Sequence, residues 1–113
     1  MDNELPLLKG TVDMLVLKAL TWGPMHGFGI ARWIRQLTDD ALQVEEGSLY
    51  PALYRMENRG WVKSEWRITE NNRRARFYKL TAAGRAQLKS QTATWIRYSE
   101  VVTALLTSRT RTA

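Results

Sequence analysis

The sequence predicts a mainly α-helical (α+β) fold, in which three short helices precede a two-stranded β-hairpin and one long final helix. Three observations predict it. Apolar residues recur with helical spacing before residue 60 and after residue 81, whereas they alternate with polar residues between 61 and 80. Glycine, proline and asparagine residues stand between these segments. A chain of 113 residues has room for one domain of this kind.

The first two helices are predicted over residues 7–22 and 26–37, with the pair Gly23-Pro24 between them. The first helix is apolar on more than one face, so it should be covered on more than one side. In a chain this small, the second cover can come from another subunit. The apolar side of the second helix is predicted to consist of Phe28, Ile30, Ala31, Ile34 and Leu37.

The third helix is predicted over residues 48–59. Ser48 is a plausible N-cap, and Pro51 then falls in the first turn, where its missing N–H has no helical partner to lose. Gly60 ends the helix. The core side is predicted from spacing as Leu49, Leu53 and Met56. The outer face presents Ser48, Tyr50, Tyr54, Arg55 and Asn58.

A β-hairpin is predicted from residues 61–68 and 75–80. Val62, Trp66 and Ile68 alternate with charged residues in the first strand. The polar turn between the strands places three arginines at or near the hairpin tip, namely Arg73, Arg74 and Arg76.

The last helix is predicted to start after Thr81, as its N-cap, and to run to about residue 107. Two sets of residues in it are spaced by seven: Leu88, Trp95 and Val102, and Gln91, Tyr98 and Leu105. This heptad spacing is typical of a helix that packs on another helix. Nothing else in the chain is large enough to cover it, so the pattern predicts a homodimer.

The positive charge is concentrated in one part of the chain. The net charge is +6, but residues 55–89 alone hold ten Lys and Arg against three acids, so the remainder sums to −1. Such asymmetry favours a polyanionic partner, although a solvated basic surface is the alternative reading.

Several function classes lack the residues they need. The chain has no cysteine and one histidine, His26, which excludes disulfide scaffolds, thiolate zinc sites and a His-rich metal site within one chain. No Ser-His-Asp arrangement is visible, so we expect neither an enzyme nor a bound cofactor. The start of the chain lacks a basic leader, and no apolar stretch is long enough to span a bilayer, so we expect a cytoplasmic protein without membrane contact.

Short helices followed by a basic hairpin form the winged version of the helix-turn-helix, here with a C-terminal dimerisation helix. A short helix with hydrogen-bonding side chains suits the major groove of double-stranded DNA, and an arginine-tipped hairpin suits the flanking phosphates. Some winged helices bind proteins instead, which is the alternative function. The sequence predicts a DNA-binding domain over 1–81 and a dimerisation helix with its tail over 82–113.

The chain resembles the PadR family of bacterial transcriptional regulators. The resemblance covers about residues 8–90 and lies in the segments HGFGI (26–30), EGSLYPALY (46–54), RGWV (59–62) and RRARFYKLTAAG (73–84). It implies a homodimer that represses transcription from palindromic operators and releases DNA when a small aromatic or other effector binds. A single helix after the hairpin is similar to the short branch of the family, in which that helix packs on the partner's first helix.

The resemblance also implies roles for individual residues. The third helix becomes the recognition helix, and His26 is either a capping residue or a DNA contact. The expected DNA contacts are His26, Gly27, Ser48, Tyr50, Tyr54, Arg55, Arg73, Arg74 and Arg76. The expected dimer contacts, taken from the heptad spacing, are Leu88, Trp95, Tyr98, Val102 and Leu105. An effector is expected to touch Met14, Lys18, Gln91, Trp95 and Ser99, unless Trp95 simply fills the dimer core.

Overall fold

The computed structural model describes residues 4–111 of the chain. These residues form four α-helices and a three-stranded antiparallel sheet. The elements, in chain order, are α1 (Val12–Ala19) with a following 3₁₀ turn (Leu20–Trp22), β1 (Met25–His26), α2 (Gly27–Leu37), α3 (Glu46–Asn58), β2 (Val62–Ile68), β3 (Arg74–Leu80) and α4 (Ala82–Leu106). The predicted fold class is confirmed. The short strand β1, which was not predicted, pairs with β3 and makes the sheet order β1-β3-β2.

The core lies where α1, α2 and α3 meet the near end of the sheet. The predicted core residues of α3, Leu49, Leu53 and Met56, are all buried. They pack in one cluster with buried residues of the other elements: Val16, Leu17, Ala19, Leu20, Ile30, Ile34, Val44, Ala52, Val62, Tyr78 and Leu80. Burial of these side chains provides most of the driving force that holds the helices on the sheet.

The first two helices differ from the prediction in detail. α1 begins at Val12, five residues later than expected from the apolar pattern. The reason is Gly10, whose φ of +86° lies in the left-handed region, so the backbone cannot run as a helix through it. In α2, Ile30 and Ile34 are buried as predicted, but Phe28 and Leu37 are exposed at the two ends of the helix.

α3, in contrast to α1, starts earlier than predicted, at Glu46, so Ser48 is not its N-cap. The N-cap is Glu45, whose carbonyl accepts from the backbone N–H of Ser48 at 3.0 Å and of Leu49 at 2.9 Å. Pro51 therefore lies inside the helix and removes the N–H that would bond to the Gly47 carbonyl.

The hairpin of β2 and β3, with its turn, is called the wing (62–80). Its strands pair in register from Val62 with Leu80 to Ile68 with Arg74. The turn closes with the Thr69 N–H donating to the Arg73 carbonyl at 2.7 Å. Val62 is buried, whereas Trp66 and Ile68 are exposed because the wing extends beyond the core.

α4 is joined to β3 by Thr81 alone. The Thr81 hydroxyl accepts from the Gly84 N–H at 3.0 Å, which confirms the predicted N-cap. Leu88 packs against the core, and most residues of α4 beyond Gln91 are exposed in the single chain. The radius of gyration is 16.6 Å, against about 13 Å for a compact chain of this length.

The predicted division at residue 81 coincides with the start of α4, although residues 1–3 and 112–113 of those two segments lie outside the described residues. Between residues 4 and 111, no helix combines the length and the apolarity that crossing a bilayer requires.

Candidate nucleic-acid interface

An open groove of about 570 Å³ lies between the start of α2, the outer face of α3 and the wing. It is called the wing groove. Six predicted DNA contacts line it together: His26, Gly27, Tyr50, Arg73, Arg74 and Arg76. Phe28 and Trp66 also line it, although the sequence analysis counted them only among the apolar residues of their helix and strand. Their large exposed fractions, 68% and 54%, mark them as surface groups.

His26 caps α2. Its Nδ1 accepts from the backbone N–H of Gly29 at 2.8 Å, and its ring meets the ring of Phe77 edge-on at 5.1 Å. An Nδ1 that accepts leaves Nε2 as the donor of the neutral ring. Of the two roles considered for His26, capping is therefore present in the structure, and the histidine also lines the wing groove.

Gly27 and Tyr50 fit against each other. A Cβ atom at Gly27 would lie 2.6 Å from the Tyr50 hydroxyl oxygen and 2.8 Å from two of its ring carbons. The glycine thus leaves the space that the phenol occupies at the first residue of α2. This places a hydrogen-bonding hydroxyl beside a helix N-terminus, where the backbone favours negative charge.

Three predicted contacts of α3 do not line the wing groove. Ser48 and Tyr54 are exposed on the outer surface of α3. Arg55 is directed to α1 instead, where its Nη2 donates to the Asp13 carboxylate at 2.7 Å. The Asp13 side chain is only 14% exposed, whereas that of Arg55 is 49% exposed.

The three wing arginines differ in what holds them. Arg76 donates from Nε to the Ser64 hydroxyl at 2.8 Å, and its Nη2 is 3.5 Å from the Glu57 carboxylate. Ser64 itself donates to Glu57, so Arg76 ties the wing to the end of α3. Arg74 instead lies over the Trp66 ring, and Arg73 belongs to the exposed turn.

A second groove, of about 600 Å³, lies between α1 and α4 and is called the α1–α4 groove. Three of the predicted effector contacts line it: Met14, Gln91 and Trp95. The carbonyl oxygen Oε1 of Gln91 is buried and accepts no hydrogen bond from the described residues. Sequence reasoning missed the opposite wall, residues 8–11, because it treated them as part of the first helix.

Two predicted effector contacts lie away from this groove. Lys18 is one turn further along α1, and its ammonium is 5.8 Å from the centroid of the Trp22 ring. Ser99 is one turn beyond Trp95, and its hydroxyl donates to the Ile96 carbonyl of its own helix at 3.0 Å. The prediction for Ser99 came from its spacing of four residues from Trp95, and that for Lys18 from the expectation that the first helix forms the wall opposite Trp95.

The dimer contacts predicted from the heptad spacing follow one side of α4. Leu88 packs on the core of its own chain, and Val102 is half-buried. Trp95, Tyr98 and Leu105 are 38%, 64% and 75% exposed in the single chain. Among residues 4–111, no cluster of His, Cys, Asp or Glu could hold a metal ion.

Comparison with known proteins identifies the family. A transcriptional regulator of Mycobacterium tuberculosis is 42% identical over 81 residues, which cover 71% of this chain and 71% of that protein. The structure of a transcriptional regulator from Clostridium thermocellum is similar with a TM-score of 0.77 at 30% identity, covering 84% of this chain and 92% of the other.

A PadR family transcription regulator from Clostridium difficile is similar with a TM-score of 0.73 at 27% identity, covering 86% of this chain and 99% of the other. Residues 16–90 match the transcriptional regulator PadR-like family. This segment includes α2, α3 and the complete wing, and therefore every residue that lines the wing groove. The chain belongs to the PadR-like family of transcriptional regulators.

Proposed function

We propose that this transcriptional regulator is a repressor that binds palindromic operator DNA as a homodimer and leaves the DNA when a small aromatic effector binds. The observation that carries the proposal is the wing groove, in which Tyr50 of α3 and the start of α2 face Arg73 and Arg74 of the wing. Aromatic and hydrogen-bonding groups lie on one side, and positive charge lies on the other.

This arrangement suits duplex DNA. α3, as the recognition helix, is narrow enough to enter the major groove, and the arginines then meet the phosphates beside it. Tyr54 is 69% exposed and Tyr50 is 43% exposed, so both phenols are available to a partner. The groups on the two sides thus have separate tasks, since base contacts give specificity and phosphate contacts give position.

The exposed side of α4 supports the homodimer. Trp95, Tyr98, Leu105 and Leu106 leave a large apolar surface in water, which a single soluble chain seldom does. A second copy covers this surface if the two α4 helices pack against each other and against α1. Two recognition helices related by a two-fold axis then read two half-sites of a palindrome.

The α1–α4 groove supports an effector. Trp95 offers an aromatic face to a planar molecule, which gains about 0.5–1.5 kcal/mol beyond burial from such stacking. Gln91 offers a donor on the same molecule its carbonyl oxygen, which accepts no hydrogen bond from residues 4–111. The effector class is therefore a planar aromatic compound that carries an N–H or O–H group.

The DNA-binding step is tested by fluorescence anisotropy with two labelled duplexes. One carries the promoter region next to the gene that encodes this chain, and the other is a scrambled duplex of equal length. We expect the promoter duplex to bind more tightly, with an affinity that falls with salt at a log–log slope of about −0.9 for each phosphate neutralised. Replacing Arg73 and Arg74 by alanine should make this slope shallower.

Arg59→Ala is the matched control. It also removes a positive charge, but Arg59 lies at the C-cap of α3, 5.1 Å from the Trp61 ring, and does not line the wing groove. An equal effect of Arg59→Ala and Arg74→Ala would remove the wing from the mechanism. Tight binding to a protein, without preference for any duplex, would favour a winged-helix interaction module instead.

The effector step is tested by tryptophan fluorescence. Planar aromatic compounds should quench the emission and lower the DNA affinity, and Trp95→Phe should remove that part of the quenching. The control variant is needed because the chain has five tryptophans. Undiminished quenching in Trp95→Phe would place the compound elsewhere.

A further inference from the structure

Trp66 is a tryptophan outside the core. It lies on β2, is 54% exposed, and faces the same side of the wing as its cross-strand partner Arg76. Two guanidinium groups flank its ring: the Cζ atom of Arg74 is 4.8 Å from the ring centroid, and that of Arg76 is 5.9 Å from it. These distances are those of cation–π contacts. The tryptophan therefore contributes to the wing groove and not to the packing of the core.

The two arginines depend on this ring to different degrees. Arg76 is also held by Ser64 at 2.8 Å and by Glu57 at 3.5 Å. The Arg74 side chain forms no hydrogen bond or ion pair with any residue between 4 and 111, and its guanidinium lies against the Trp66 ring. Without the ring, the long Arg74 side chain would be free to sample many rotamers.

We infer that Trp66 is a positioning residue for DNA binding, which holds the Arg74 guanidinium in the wing groove before DNA arrives. The inference rests on the proposed function, since it assigns a task to a residue of the same site. The physical reason is preorganisation: a side chain that is already ordered loses less conformational freedom when it meets a phosphate. The indole itself need not touch DNA.

Arg73 offers an internal comparison. It is the preceding residue, carries the same charge and lines the same groove, but it forms no cation–π contact with the Trp66 ring. If Trp66 acts through Arg74, removing the ring should lower the DNA affinity only in chains that retain Arg74. The presence or absence of Arg73 should make no difference. If Trp66 acts on its own, the effect should be the same in every background.

The test is a pair of double-mutant cycles on affinity for the promoter duplex. Trp66→Ala should weaken binding about two- to fivefold in the wild-type chain and in Arg73→Ala. It should have little further effect in Arg74→Ala. If Trp66→Ala lowered the affinity by the same factor in Arg74→Ala as in Arg73→Ala, the inference would be overturned.

Two conservative variants guard against a general loss of structure. Trp66→Phe keeps an aromatic face and should retain most of the affinity, whereas Trp66→Leu keeps apolar bulk without the face and should behave as Trp66→Ala. Equal affinities of the Phe and Leu variants would show that only bulk matters and would also overturn the inference. Thermal unfolding identifies any variant that has lost its fold.

NMR of the free protein separates this inference from the proposed function. The side-chain Hδ protons of Arg74 should be shifted upfield by the indole ring in the wild type and return to ordinary values in Trp66→Ala. Ordinary Arg74 shifts in the wild type would refute the positioning role, whatever the DNA result. A wild type that prefers no duplex, yet shows these shifts, would refute the proposed function and leave Arg74 held by Trp66.

Discussion

Replacing Gly84 with alanine is expected to lower the free energy of unfolding by about 3 kcal/mol. Gly84 lies in the first turn of α4, where the helix crosses the junction between α3 and β2. A Cβ atom there would lie 2.1 Å from the Trp61 carbonyl oxygen and 2.8 Å from a methyl carbon of Leu80. An ordinary contact between a carbon and a carbonyl oxygen needs about 3.3 Å. The helix must therefore move by about 1 Å.

That movement is resisted by hydrogen bonds at the same junction. The Thr81 hydroxyl bonds to the Gly60 carbonyl at 2.6 Å, and the Thr81 N–H donates to the Trp61 carbonyl at 3.0 Å. Overpacking costs up to about 3 kcal/mol, and losing one of these bonds adds about 1 kcal/mol. The higher helix propensity of alanine stabilises the variant by about 1 kcal/mol. The net loss in the free energy of unfolding is then about 3 kcal/mol.

Gly47→Ala is the matched control, since it makes the same chemical change in the first turn of another helix. A Cβ atom at Gly47 has no heavy atom of another element within 4 Å. This substitution is therefore expected to raise the free energy of unfolding by about 0.5–1 kcal/mol. Urea denaturation, followed by circular dichroism at one protein concentration, measures both variants. If Gly84→Ala proved as stable as the wild type, the close packing of α4 on the Trp61 carbonyl would be refuted.

Three further predictions concern α3 and its surroundings. Asp13→Asn should free Arg55 for a phosphate and steepen the salt slope of DNA binding by about 0.9; an unchanged slope would place Arg55 out of reach of DNA. Gly27→Ala should displace the Tyr50 phenol and weaken binding to the promoter duplex by about 1–3 kcal/mol, with little effect on scrambled DNA; equal losses on both duplexes would contradict a base contact. Burial raises the pKa of Tyr78 above its ordinary value of 10.0, so the unfolded chain ionises first and the free energy of unfolding should fall as the pH rises through 10.0 toward the folded-state pKa. Urea titrations at several alkaline pH values should show a smaller fall in Tyr78→Phe.

The parts of the fold that follow from neighbouring residues were predictable. The spacing of Leu49, Leu53 and Met56 identified the buried side of α3, because a regular helix fixes which side chains share a face. Thr81 was identified as a cap because its hydroxyl acts on an N–H three residues away. The wing arginines followed from the polar turn between two alternating segments.

The parts that depend on distant residues were not predictable. The partner of Arg55 is Asp13, 42 residues earlier in the chain, and no local pattern relates the two. Ser48 is of a residue type that favours N-caps, but the helix begins two residues earlier, at Glu46, and accommodates Pro51 inside it. Trp66 fitted an apolar strand pattern, and its exposure depends on how far the wing projects beyond the core.

The direct junction between β3 and α4 couples the orientation of the last helix to that of the wing. Leu80 ends the strand and Ala82 begins the helix, so no flexible linker separates them. The strand has 7 residues and the helix 25, which corresponds to arms of about 23 Å and 37 Å. A rigid rotation of about 5° at Thr81 moves the far end of the helix by about 3 Å and the wing tip by about 2 Å. A small change in the seating of α4 thus reaches the arginines of the wing through Tyr78 and Leu80, the buried residues at the base of β3.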